Sequence, residues 1–166
     1  MKHSSGPASG PLPIVYVARP RPEIMRFEYS RHTKADCTLA WETFADVTSW
    51  RRFSDAYRRI EWRGVPWVPG SRLQIDIVKP VVATQDRVIT VCTPPRSVAW
   101  INHVLGYSME QWVQFDPVDG GTRISTWLEI TGGDFRDGEV EKRLPRILET
   151  WYVNFCAECD RVAQGR

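Results

Sequence analysis

The residues best equipped for chemistry in this chain are few, and they sit on stretches that alternate like strands. Arg31 shares its alternation with Phe27 and Tyr29 in Ile24–Thr33, so the three project from one strand face. An arginine among inward aromatics is costly unless it meets an anion. Its planar fork suits a carboxylate, phenolate or enolate. The plainer reading has Arg31 at the strand end with its head in water. Tyr29 and Tyr107 can each offer a hydroxyl to a ligand oxygen, or keep a wet tip on a packed ring. In Ser97–Leu105 two phases are open. Either Trp100 and Asn102 point inward, or His103 does so beside Ile101. In the second phase His103 is a candidate base, because an imidazole titrates near neutrality. Arg31, Tyr29 and His103 are thus the catalytic candidates. In Ser108–Phe115, Met109, Gln111, Val113 and Phe115 form the more apolar face. Gln111 is then the polar member of an inward set, and Glu110 and Trp112 face out.

Other chemistries lack their residues. There is no Ser-His-Asp order, phosphate-cradling glycine loop or HExxH. Cys156-Ala-Glu-Cys159 has CxxC spacing, but it falls late in a helical pattern, where a redox pair wants a helix start. Cys37 and Cys92 are isolated, so a zinc set is not assembled. The four cysteines read as packing, and no metal or cofactor is expected.

These side chains need elements to hold them. The dominant one is Gly138–Val162, where Val140, Leu144, Leu148, Trp151, Phe155, Cys159 and Val162 recur at steps of three and four. That spacing predicts an amphipathic helix, with Pro145 marking a kink or a start. Asp36 can cap an earlier helix with Ala40, Trp41, Phe44 and Val47 on its stripe, and a short helix is expected near Ser49–Ser54. From Tyr57 the pattern turns to strands. Leu73, Ile75 and Ile77 alternate with polar residues, and Asp86–Cys92, Ser97–Leu105, Ser108–Phe115 and Thr122–Ile130 follow. Val65–Gly70, Gly106 and Asp119-Gly120-Gly121 are turns. Strands joined by short turns give an antiparallel meander.

The chain has 166 residues, enough for one domain, and carries 22 Lys and Arg against 20 Asp and Glu. A formal charge of +2 argues against a general nucleic-acid binder. The local run Arg51, Arg52, Arg58, Arg59 and Arg63 is either a solvated face or a patch for an acidic carrier protein or a phosphate. No apolar run reaches the roughly 20 residues of a membrane span, and no signal-peptide core opens the chain, so a cytoplasmic location is expected. Residues 1–23 read as a flexible, proline-rich arm with an apolar patch at Ile14–Val17. Residues 24–163 form the expected domain. The eight tryptophans suit a cavity wall as well as a core.

The element order resembles the helix-grip fold of the START-like (SRPBCC) superfamily, in its polyketide cyclase/dehydrase-like branch. The local matches are Ala35 through Trp41 to Asp46 with Trp50, then Gly64 to Gly70-Ser71. Pro95-Arg96-Ser97-Val98-Ala99-Trp100 and Phe115 through Gly120-Gly121-Thr122 complete them. The resemblance implies an α+β fold in which a curved antiparallel sheet of six or seven strands wraps a long C-terminal helix. Two short helices follow its first strand. It favours the phase with Trp100 and Asn102 inward. It also implies a cavity between sheet and helix for a hydrophobic, aromatic or polyketide-like molecule. The lining expected of that cavity is Phe27, Tyr29 and Arg31 from the first strand, then Trp62 and Ile75. Trp100, Asn102, Gln111, Val113 and Thr126 follow from later strands, with Leu148, Trp151 and Phe155 from the helix. The superfamily has no universal catalytic motif. Three functions therefore stay open: a cofactor-independent cyclase, aromatase or dehydratase; a carrier; or a protein-interaction module, with a homodimer also open. All small-molecule readings require that the helix leave space above the sheet.

Overall fold

The computed structural model describes residues 24–132 and 139–165. The expected arm at 1–23, with its Ile14–Val17 patch, lies outside the described residues, as does the side chain of Val140. The elements are β1 (Ile24–Thr33), α1 (Cys37–Ala45), a 3₁₀ turn (Val47–Ser49), α2 (Trp50–Phe53), β2 (Tyr57–Arg63) and β3 (Arg72–Ile77). They continue with β4 (Ala83–Thr93), β5 (Ser97–Val104), β6 (Tyr107–Val118), β7 (Gly121–Gly132) and α3 (Glu139–Gln164). All seven strands form one antiparallel sheet in the order β1-β7-β6-β5-β4-β3-β2. β1 and β2 therefore lie on opposite edges, and α1 and α2 carry the chain between them.

Local chemistry explains the elements. The Asp36 carboxylate accepts the Leu39 amide at 2.8 Å, which satisfies a free donor at the start of α1. α1 buries Ala40, Trp41 and Phe44. The Trp50 indole donates to the Phe44 carbonyl at 2.9 Å and the Trp67 indole to the Ala45 carbonyl at 2.9 Å. These two bonds take up carbonyls that the end of α1 leaves open. Gly121 opens β7 with φ +149, where an added Cβ would stand 2.0 Å from the Thr33 carbonyl oxygen. Only glycine permits that approach between the end of β1 and the β6–β7 turn.

α3 is one helix through Pro145, so the proline is neither its start nor a break in it. Its later half is pinned. Asp160 accepts the Thr33 hydroxyl at 2.5 Å and the Lys34 amide at 2.7 Å. Asn154 donates to the Phe53 carbonyl at 3.0 Å. Phe155, Cys156 and Cys159 are buried there, which makes the CxxC pair part of the core. Burial pushes the Cys156 thiol up to about 12, and Cys159 is raised for the same reason. Earlier in the helix, Leu144 and Leu148 rest on a separate cluster around Leu128 and Ile130. Between these two seats the helix and the sheet stand apart.

Candidate functional site

The gap is a cavity of about 1350 Å³, somewhat larger than the roughly 300–1,000 Å³ common for small-molecule sites. Its floor is the inward faces of β4, β5 and β6. The register sets Arg87 opposite Asn102, Trp100 opposite Gln111, and Asn102 opposite Met109, and all five line it. Its roof is α3, through Leu144, Leu148, Trp151 and Tyr152, and α2 with Tyr57 closes the side. The closed end is aromatic. Phe44 packs on Trp50, Trp100, Trp151 and Phe155 at centroid distances of 5.5 to 6.3 Å. The aromatics fill that end and leave the remainder open.

The chemical centre of the cavity is Arg87, a residue the sequence reading did not single out. Its guanidinium carbon lies 4.9 Å from the Trp100 ring centroid and 5.7 Å from that of Trp50. Its Nε and one Nη donate to the Gln85 amide oxygen at 3.2 and 3.0 Å. No carboxylate pairs with it among the described residues. Burial lowers its pKa, opposed by the nearby oxygens of Tyr57 and Tyr152. A guanidinium nonetheless stays protonated at neutral pH. Tyr57 is raised by burial, with Arg87 pulling the other way. The site thus holds a partly desolvated cation steadied by two indole faces and an amide. Two more polar atoms of the wall have no partner: Asn102 Oδ1 and the Trp151 indole nitrogen.

Gln111 behaves otherwise. Its amide nitrogen donates to Thr126 Oγ1 at 2.9 Å and to the Tyr152 hydroxyl at 3.3 Å, and Thr126 donates to the Trp112 carbonyl at 2.9 Å. Gln111 borders the cavity with its donors already used, and Thr126 stands behind it. Burial also keeps the Tyr152 hydroxyl protonated by raising its pKa.

Of the expected lining, Trp100, Asn102, Gln111, Leu148 and Trp151 border the cavity. The rest do not. Ile75, Val113 and Phe155 face inward but are fully packed. Trp62 stacks edge-on with Trp67 at 4.8 Å, at the far end of β2. Phe27 packs with Leu128 and Ile130. Tyr29 meets the Tyr152 ring at 5.9 Å under α3. β1 turns Phe27 and Tyr29 toward the helix, which lies directly on that strand. Arg31 is exposed, 3.5 Å from the Tyr29 hydroxyl, so its long side chain reaches water and the ligand clamp is corrected. His103 is exposed on the outer face of β5, as the Trp100 phase requires, and is corrected as a base for this cavity. Neither it nor His32 lines the site. Tyr107 does line it, as do Tyr57, Gln85, Arg87 and Tyr152, which were missed.

No protein-family model matches the chain, and no curated protein matches it by sequence. Solved structures do match. The Zhui aromatase/cyclase from Streptomyces sp. R1128 superposes with a TM-score of 0.64 at 19% identity, over 84% of this chain and 95% of that one. The chain has the helix-grip fold. The di-domain ARO/CYC StfQ of the steffimycin biosynthetic pathway gives a TM-score of 0.71 at 16% identity, over 86% of this chain and 51% of its own. A norcoclaurine synthase point mutant from Thalictrum flavum, solved with a transition-state analogue, gives 0.66 at 13% identity, over 85% of this chain and 97% of that one. These neighbours are Bet v1-like (SRPBCC) proteins. Identities this low carry the architecture of the helix grip and leave its chemistry to the residues of this chain.

Proposed function

We propose that the domain at 24–163 encloses a hydrophobic, aromatic or polyketide-like molecule, with an oxygen of that molecule held at Arg87. The observation that carries this is the half-buried cation, with no carboxylate partner among the described residues, facing a largely apolar cavity. Desolvating a charge is expensive, and an enolate, phenolate or carboxylate oxygen would complete the arrangement through short, charge-assisted bonds. Asn102 Oδ1 can accept from a ligand hydroxyl and the Trp151 indole can donate to a second oxygen. The polyketide aromatase/cyclases and the synthase among the structural neighbours support the substrate class.

If the protein turns its ligand over, the chemistry that suits these groups is an intramolecular aldol condensation. An enolate carbon attacks a carbonyl carbon of the same chain, the new alkoxide takes a proton, and water leaves in a second step. The cavity would fold the chain into contact, which is catalysis by proximity. Arg87 would stabilise the enolate or alkoxide oxygen. The histidines among the described residues stand outside the cavity, so the proton would travel through water. That favours a second reading, a carrier that releases its ligand unchanged. Native mass spectrometry of freshly purified protein tests the common ground. A co-purified polycyclic or polyketide-like mass is expected. A protein that arrives empty and retains no aromatic probe would refute the proposal. Comparing the released mass with the loaded one separates enzyme from carrier.

A further inference from the structure

Two exposed apolar side chains, Val65 and Val68, lie in the connection between β2 and β3, and a larger group stands at the opposite end of the sheet. Val78, Val81 and Val82 stand in the loop between β3 and β4, Leu105 in the turn between β5 and β6, and Ile147 on α3. The register places both connections at the same end of the sheet, since Ile77 pairs with Ala83, Asp86 with His103, and Val104 with Tyr107. Val81, Leu105 and Ile147 also form the lip of the cavity. Val82 is 83% exposed and Leu105 64%. Leu105 has φ 50 ahead of Gly106 at φ 81, a tight hairpin turn whose first position usually takes asparagine, aspartate or glycine. Turn chemistry does not ask for a leucine at that tip.

The lining of the same cavity also carries Arg51, Arg52, Lys79, Arg143, Arg146 and Arg161. Its acids are already engaged. Glu158 is held by Arg161 at 2.7 Å and by Arg52 at 3.8 Å, and Asp55 by Lys79. Arg51 and Arg146 have no ion-pair partner among the described residues and are exposed.

From this juxtaposition we infer that the cavity mouth docks on an anionic lipid surface, with Val81, Val82 and Leu105 entering the headgroup layer and the arginines meeting its negative charge. Apolar groups gain by leaving water at such a surface, and basic groups near it gain from the surface potential. The occupant is a bilayer because the apolar groups sit on separate loop tips. A folded acidic partner would need a matching pocket for each tip, whereas a fluid interface accepts all of them. Docking would press the open lip against the membrane, so an apolar guest could pass without crossing water. The surface itself stands independently of what the cavity holds. Only that transfer step rests on the reading given above.

The test is co-sedimentation of the full chain with vesicles of phosphatidylcholine containing about one-third phosphatidylglycerol, against phosphatidylcholine alone, at low and high salt. Binding is expected to the mixed vesicles, at least about tenfold weaker to the neutral ones, and reduced by salt. Val82→Asp with Leu105→Asp should weaken it at least about tenfold, and Arg51→Glu with Arg146→Glu should do the same. All four side chains are exposed, and circular dichroism checks that each variant is folded. No binding to mixed vesicles at low salt overturns the proposal. Unchanged binding of the doubly aspartate variant also overturns it, since the tips would then not enter the layer. Capture by immobilised polyglutamate without vesicle binding would assign the surface to an acidic protein instead and overturn it too. Retention of anilinonaphthalene sulfonate, read without vesicles, separates the two ideas. Vesicle binding without dye retention keeps this proposal and removes the cavity reading, and the converse removes this proposal alone.

Discussion

Replacing Arg87 with methionine separates what the cation does for the fold from what it does for a ligand. The side chain is half-buried against Trp50 and Trp100, donates to Gln85 and lies beside the Tyr57 hydroxyl. Its removal forfeits two cation–π contacts, each worth up to about 2 kcal/mol when desolvated. It also removes the desolvation penalty of a half-buried charge, up to about 3 kcal/mol. Methionine has a similar length and an adaptable thioether that can lie between the indoles. The two effects oppose each other, so the empty protein should change by no more than about 2 kcal/mol in a urea melt, in either direction. Binding should change far more. A hydrogen bond from a charged donor contributes about 1.5–3 kcal/mol, or roughly 10- to 150-fold in affinity for an anionic guest. The assay compares two fluorescent naphthalenes in Arg87→Met and the unaltered protein: the anionic anilinonaphthalene sulfonate and the neutral N-phenylnaphthylamine. The anionic probe should lose at least about tenfold relative to the neutral one. Equal losses, or a destabilisation beyond about 3 kcal/mol, would show that Arg87 is a structural cation and would refute the argument.

The other expectations follow from the surroundings of single groups. Gln111→Leu removes one of the hydrogen-bond partners of the Tyr152 hydroxyl, Thr126 being the other, and should cost about 0.5–1.5 kcal/mol in chemical denaturation, while leaving neutral-probe affinity within about threefold. Asn102→Leu removes an acceptor that has no partner in the empty cavity, so it should leave stability unchanged or raised by up to about 1 kcal/mol; a loss above about 2 kcal/mol would mean that Oδ1 is satisfied in the folded chain. Gly121→Ala drives a Cβ to 2.0 Å from the Thr33 carbonyl oxygen and should lower stability by more than about 2 kcal/mol, read as a fall in melting temperature. Cys156, raised to about 12 in the fold from 9.0, keeps its proton while the unfolded chain gives it up. Its contribution is complete below about pH 8 and is lost as pH climbs toward the folded value, at no more than about 1.4 kcal/mol per pH unit. Urea melts of Cys156→Ala between about pH 8 and pH 10.5 should show a shallower decline than the unaltered chain.

The architecture was legible because each element announces itself locally. The period of Leu144, Leu148, Trp151 and Phe155 can only be a helix stripe, and the alternation of Leu73, Ile75 and Ile77 can only be a half-covered strand. The residues of β5 leave its phase open, and only the family resemblance favours the one that turns Trp100 inward. Strand phase does not say what covers an inward face, however. Phe27, Tyr29, Val113 and Thr126 lie on the inner face of the sheet under packed side chains, because α3 runs along β1 and leaves the space over β4 and β5. That offset comes from anchors far apart in sequence, such as Thr33 to Asp160. Arg87 escaped notice for a related reason. Asp86–Cys92 shows a strand but not its phase, since polar and apolar residues occur on both of its faces. One signal was present: Gln85, Arg87 and Ile89 alternate, and a buried Ile89 carries its neighbours two residues back to the same side.

The strand order has a temporal side. β1 is the first element of the described chain, yet its partner is β7, so that Ile24 meets Thr131 and Thr33 meets Thr122. During synthesis β1 leaves the ribosome early and must wait, unzipped, until almost the whole domain has followed it. The meander from β2 to β6 can assemble meanwhile through neighbouring hairpins, whereas seating β1 closes a very long loop and should come late and slowly. Its arrival also brings the Thr33 hydroxyl to Asp160, so the last strand to join is the one that fastens the roof.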